Sequence, residues 1–167
     1  MNSILKSTIR NRQKRANINT IVIKDLEISN STSKSLSFSK DERLCSIIAI
    51  NQLYESGSSV MSFPLRATML VTDSYIDDAP PAKVVISVSK KRFKRAYKRN
   101  LLKRRMREAY RHYKNTLYNE LTSKGLNLNL SINYITNDLL EYEQINKAME
   151  KLIQKIIKSN LSRPKVE

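Results

Sequence analysis

Between Lys94 and Lys114 the chain reads KRAYKRNLLKRRMREAYRHYK. Ten of these twenty-one side chains are Lys or Arg, against a single acid, Glu108. No fold can bury such a segment whole, because an unpaired charge taken out of water is strongly destabilising. Yet Leu102, Met106, Ala109, Tyr110 and Tyr113 recur at helical spacing and gather on one side at about 100° per residue. Asn100, Lys103, Arg104, Arg107, Arg111 and Lys114 fall on the opposite side. The segment is therefore predicted to be a helix with its apolar face on a sheet and its charges in water. Most charge runs are solvated faces, but those usually alternate signs to gain support between neighbouring turns. Here Arg104, Arg107 and Arg111 stack upon one another instead. A repulsive arrangement kept in a folded chain points to an anionic ligand that offsets it.

The flanking sequence supplies the sheet. In MSFPLRATMLVT, Met61, Phe63, Leu65, Ala67, Met69 and Val71 alternate with polar residues, which predicts one half-buried strand beginning at a sheet edge near Pro64. KVVISVS reads as a second strand, apolar enough to lie centrally. After Gly125, Leu126, Leu128, Leu130, Ile132 and Tyr134 point inward and Asn127, Asn129, Ser131 and Asn133 outward. Two further helices close the pattern. The first is predicted to start at Ser39, where Ser39 and Glu42 have capping-box spacing, and to bury Leu44, Ile47, Ile48 and Tyr54 before Gly57. The last carries Tyr142, Ile145, Met149, Leu152, Ile153 and Ile156 on one stripe. The order α-β-β-α-β-α predicts an α+β fold, a two-layer α/β sandwich with helices on one sheet face.

The chain has 167 residues and a formal net charge of +16, from 31 Lys plus Arg against 15 Asp plus Glu. Self-repulsion of that size calls for a polyanionic partner, nucleic acid before membrane or acidic protein. Residues 1–37, basic and then serine-rich, read as a disordered extension, 38–160 as the folded domain, and 161–167 as a tail. The lone Cys45 reads as a small buried hydrophobe in a reducing compartment. Neither a signal peptide nor a run of membrane-spanning length is visible, so the expected location is the cytoplasm.

The basic segment is also more specific than its charge. SVSKK (Ser87 to Lys91), then Lys94 and Ala96, then RNLLKRRMREA (Arg99 to Ala109) resembles the signature of the bacterial ribonuclease P protein component. That signature runs Arg-Asn-x-x-Lys-Arg-x-x-Arg-Glu after a strand ending Ser-Lys-Lys. Arg99, Asn100, Lys103, Arg104, Arg107 and Glu108 fill all six of its fixed positions. The resemblance implies a left-handed βαβ crossover through the basic helix, where general topology favours the right-handed one. It also implies a cytoplasmic ribonucleoprotein endoribonuclease that removes the 5′ leader of precursor tRNA. In that family the RNA subunit carries out Mg2+-dependent hydrolysis. The protein binds that RNA and the leader, with no membrane and no obligate protein partner. RNA-binding positions carried over by the motif are Lys90, Lys91, Arg99, Asn100, Lys103, Arg104 and Arg107, and Arg111 joins them from the cationic stripe. In the family the leader lies between the sheet and the first helix, and Phe63 is the candidate for stacking there. Arg92-Phe93 stand where the family often has a glycine, and residues 1–37 have no family counterpart.

Chemistry borne by the chain itself is not expected. His112 has no second histidine to join it, and Asp73, Asp77 and Asp78 miss calcium-loop spacing. The alternatives are a general structured-RNA-binding or ribosomal-type protein without a processing role, and a standalone nuclease.

Overall fold

The computed structural model describes residues 37–72 and 79–159. Three helices and four strands run in the order α1 (Ile47–Ser56), β1 (Ser58–Ser62), β2 (Leu65–Thr72), β3 (Ala82–Val88), α2 (Ala96–Ser123), β4 (Asn127–Tyr134) and α3 (Tyr142–Lys158). The sheet order is β1-β2-β4-β3. β1–β2 and β2–β4 are antiparallel, whereas β3 and β4 are parallel neighbours joined through α2. A parallel pair needs such a crossover, since a short turn cannot return the chain to the same end of the sheet. No helix among the described residues is long and apolar enough to cross a membrane.

The core forms as the alternation predicts. Leu65, Ala67, Met69 and Val71 of β2 and Leu128, Leu130, Ile132 and Tyr134 of β4 are buried with Leu102, Met106, Ala109 and Tyr110 of α2. Ile145, Met149, Leu152, Ile153 and Ile156 complete it from α3. The last helix begins with a reciprocal pair, in which Glu141 accepts from the N3 backbone and the Gln144 side chain accepts from Glu141 N–H.

Four expectations change. The alternating stretch at 61–72 is two strands, reversing at Phe63-Pro64, with Ser62 opposite Leu65. Pro64 is the cause, since a residue without an N–H is excluded from a paired strand interior and suits a turn. The fold is thus α-β-β-β-α-β-α. Second, β3 is an edge strand, not a central one. Its apolar character is used because α2 covers one face and residues 42–44 pair with its outer edge. Val84 N–H donates to Glu42 O at 2.8 Å and Leu44 N–H to Val84 O at 3.1 Å.

That edge pairing explains the third change. Ser39 N–H does reach the Glu42 carboxylate, at 3.0 Å, yet no helix follows. The strand edge captures the backbone first, and α1 starts only after Ser46, whose hydroxyl accepts from Ala49 N–H at 3.4 Å. Cys45, just before that cap, is exposed rather than buried. Fourth, α1 lies on the sheet face opposite α2 and α3, so both faces are covered in part. Leu53 is its one buried residue, while Ile47 and Ile48 are 75% and 72% exposed. Gly57 permits the close approach that ends α1. A Cβ there would lie 2.1 Å from Leu53 O and 3.0 Å from both Met69 O and Thr68 Cγ2.

Candidate nucleic-acid interface

The basic helix α2 divides its cations into two groups. One group is spent inside the protein. Arg99 Nη1 donates to Phe93 O at 2.8 Å and Lys94 O at 2.7 Å, holding the turn that leads into the helix. In that turn Phe93, at the position where a glycine was expected, is buried against Tyr134 with ring centroids 5.9 Å apart. Arg105 donates to Leu140 O and to Glu141, both at 2.6 Å, tying α2 to the start of α3. Arg111 pairs with Glu108 at 2.8 Å, and His112 lies 3.6 Å from the same carboxylate.

Lys114 corrects the stripe. It is buried, and its ammonium meets Glu42 at 2.6 Å with side chains only 3% and 10% exposed. The sequence could not reveal this, because Glu42 lies 72 residues away.

The second group faces solvent. Asn100, Arg104 and Arg107 are exposed and Lys103 is half-buried, and none of these side chains has a hydrogen bond or ion pair to another described residue. Lys90 and Lys91 are exposed in the turn after β3, five or six residues before α2 begins. Tyr97 and Leu101, both exposed, lie within the same stripe at helical spacing from Arg104. Arg95 donates to the Tyr97 hydroxyl at 3.5 Å, and this bond lowers the phenol's pKa. An exposed aromatic among guanidinium groups offers a base-stacking surface, and its 97–101–104 spacing was the available signal.

A groove of about 530 Å³ opens on the other sheet face, beside the end of α1. Arg66, Asn133 and Ser87 are register partners across β2, β4 and β3, as are Thr68, Ser131 and Val85. Arg66, Thr68, Ser87 and Asn133 line the groove floor as a polar row, with Ser131 buried beneath them. Ser87 Oγ donates to Asn133 Oδ1 at 2.6 Å, and Asn133 Nδ2 donates to Ser131 Oγ at 3.2 Å. The Tyr54 hydroxyl and Ser131 Oγ are 2.7 Å apart, which fixes the tyrosine ring over this floor. Arg66, anchored to Ser59 at 3.2 Å, and Arg92, bonded to Asn137 at 3.2 Å, supply positive charge at the groove.

Tyr54, expected in the core, is half exposed and is the groove's aromatic. Phe63, expected there, is not among its lining residues. It occupies the β1–β2 turn instead. Periodicity identified an apolar stripe on α1 but not which side the sheet would take. Among the described residues, no group of three or more His, Cys, Asp or Glu side chains could hold a metal ion. Asp73, Asp77 and Asp78 lie outside the described residues, as do 1–36 of the expected extension, the last residue of the expected domain at 160, and the expected tail 161–167.

Comparison with known proteins agrees with this geometry. The family model described as Ribonuclease P matches residues 38–157. Two proteins named ribonuclease P protein component, from two strains of Porphyromonas gingivalis, are 32% and 31% identical over 118 residues. Each match covers 71% of this chain and 85% of the relative. The fold is also similar to that of the Staphylococcus aureus RNase P protein, with TM-score 0.55 and 22% identity over 69% of this chain and 94% of that one. A mutant of the S. aureus protein described as defective in mRNA degradation activity gives 0.54 and 20%, over 70% and 89%.

Proposed function

We propose how this chain works from what it is: it belongs to the ribonuclease P protein family. It is the protein component of that endoribonuclease complex, serving tRNA 5′-end maturation, and an RNA subunit is its partner. The substrate in this reading is precursor tRNA, met in the cytoplasm without another obligate protein partner. The RNA subunit carries the hydrolysis, with Mg2+ held mainly by its own phosphates. The protein contributes grip and alignment.

Asn100, Lys103, Arg104 and Arg107, with Lys90 and Lys91 beside the start of α2, clamp the RNA subunit's backbone. Guanidinium forks suit bidentate phosphate contact, and Lys adds diffuse charge. Arg99 and Arg111, both bonded within the protein, serve the same surface by shaping it. On the opposite face the leader crosses the groove. A base stacks on Tyr54, phosphates meet Arg66 and Arg92, and Ser87 and Asn133 offer adaptable hydrogen bonds. Stacking tolerates any base, as leaders of varied sequence require.

One observation carries the clamp. α2 pairs most of its other cations internally yet leaves Lys103, Arg104 and Arg107 without a partner among the described residues. The test is reconstitution with the RNA subunit at low magnesium. Precursor tRNA should be cleaved when the protein is added, and bound more tightly than mature tRNA. With about five phosphates engaged, affinity for the RNA subunit falls on the order of 10²-fold between 50 and 200 mM salt. Arg104→Ala with Arg107→Ala should flatten that dependence by about two contacts. An unchanged slope places the clamp elsewhere, and cleavage by protein alone refutes the division of labour.

A further inference from the structure

A second cationic surface lies on α3. Lys147, Lys151, Lys155 and Lys158 recur at four, four and three residues and fall within roughly 80° of helix surface. All four are exposed. The acids Glu143 and Glu150 sit about 80–100° round the helix. They lie on the side where Asn146 donates to Tyr113 of α2 at 3.1 Å. The lysines therefore face away from α2 and its clamp, past β1. Only Lys155 has a partner among the described residues, the Met61 carbonyl at 2.8 Å.

That bond fixes how α3 runs along the sheet edge. Ser159 Oγ lies 3.8 Å from Met69 Sδ, and Met69 is the register partner of Ser58 at the start of β1. Lys155 meets Met61 near the strand's end, so helix and strand are antiparallel. Lys151, one turn earlier by about 6 Å, comes level with the Phe63-Pro64 turn, two residues or about 6.6 Å beyond Met61. Phe63 is 66% exposed and Met61 57%. Met61 is also the register partner of Arg66, at the groove. A continuous track results, from Tyr54 and Arg66 in the groove, over Met61 and Phe63 at the sheet edge, to the lysines of α3.

We propose that this track takes the part of the precursor's single-stranded 5′ leader beyond the groove, with a base stacked on Phe63 and phosphates against Lys147, Lys151 and Lys158. The proposal rests on the groove being the leader site. Cations alone would describe a solvated face. Two exposed apolar side chains at the sheet edge, level with that stripe and next to the groove, are what single-strand stacking needs.

The test uses the complex with its RNA subunit and three substrates: mature tRNA, and precursors with leaders of about 4 and about 16 nucleotides, the span of a single-strand site. Phe63→Ala should weaken binding of the long-leader substrate at least about fivefold. K147A/K151A/K158A should lower its salt slope by about two. Lys155, which bonds Met61, is left intact. Both variants should leave the short-leader and mature substrates as in the wild type. Equal losses on all three substrates would put this surface against the RNA subunit, and no loss on any would leave a solvated face. Binding of the wild type to anionic vesicles, lost in the lysine variant without a leader-length effect, would make it a membrane surface. Each of these overturns the proposal. Tyr54→Ala separates the two readings. If it leaves the preference for short-leader over mature tRNA intact, the groove reading fails, while the length increment still reports on Phe63 and the lysines.

Discussion

Lys114→Met removes the cation from a pair that water scarcely reaches. Glu42 then keeps the Ser39 N–H at 3.0 Å for one oxygen and loses the 2.6 Å ammonium contact at the other. The same ammonium lies 5.5 Å from the Tyr118 ring centroid, so that ring loses its cation too. Breaking a buried pair from one side typically costs about 3–5 kcal/mol, because the remaining charge is stranded. That is a large share of the roughly 5–15 kcal/mol that holds a domain folded. At roughly 4 °C per kcal/mol for a domain of this size, the melting temperature should fall by about 12–20 °C. Glu42→Leu should cost a similar amount by stranding the ammonium. The double variant, apolar on both sides, should lose no more than either single variant, giving a coupling of at least about 3 kcal/mol. Urea unfolding followed by circular dichroism across the four proteins measures that coupling directly. If the double variant loses the sum of the two single losses, residues 38–44 are held by Phe38 on Tyr110 and by the Val84 pairing, and the ion pair is incidental.

Burial raises the Tyr110 hydroxyl well above the ordinary phenol pKa and raises Tyr118 as well. The unfolded chain ionises both near pH 10 and the folded chain does not, so stability is kept below that pH and lost above it. The loss approaches about 1.4 kcal/mol per pH unit for each tyrosine. Urea midpoints at about pH 8 and pH 11 should show it, with a smaller fall in Tyr110→Phe. Gly57→Ala should cost about 1–3 kcal/mol, since its Cβ meets backbone oxygens that cannot swing aside. A thermal melt within a degree of wild type would mean that α1 shifts freely on the sheet.

Elements whose pattern matched one partner surface were readable from sequence. β4 alternates because its two faces differ, and α2 and α3 show one apolar stripe each because each touches the sheet once. Where the outcome depended on a distant competitor, local pattern misled. The Ser39–Glu42 spacing makes its hydrogen bond, but the open edge of β3 takes the chain before a helix can form. The apolar residues of α1 suggested a buried stripe, yet Leu53 alone is covered, and Tyr54 serves the groove. On α2, residue types placed Asn100, Arg104 and Arg107 on the solvent face, where they are exposed. They could not show that Arg99 is committed to Phe93 O and Lys94 O or Lys114 to Glu42, because those contacts exist only after folding.

The register of β4 has a bearing on how the groove could ever be lost. Ser131 and Asn133 share one short strand with Leu130 and Ile132, facing opposite ways. Sliding that strand by a single residue would push amide and hydroxyl into the oily interior and bring leucine and isoleucine out beneath Tyr54. Wrong pairing is thus penalised twice over, so a molecule that has folded at all has already built the floor of its groove correctly.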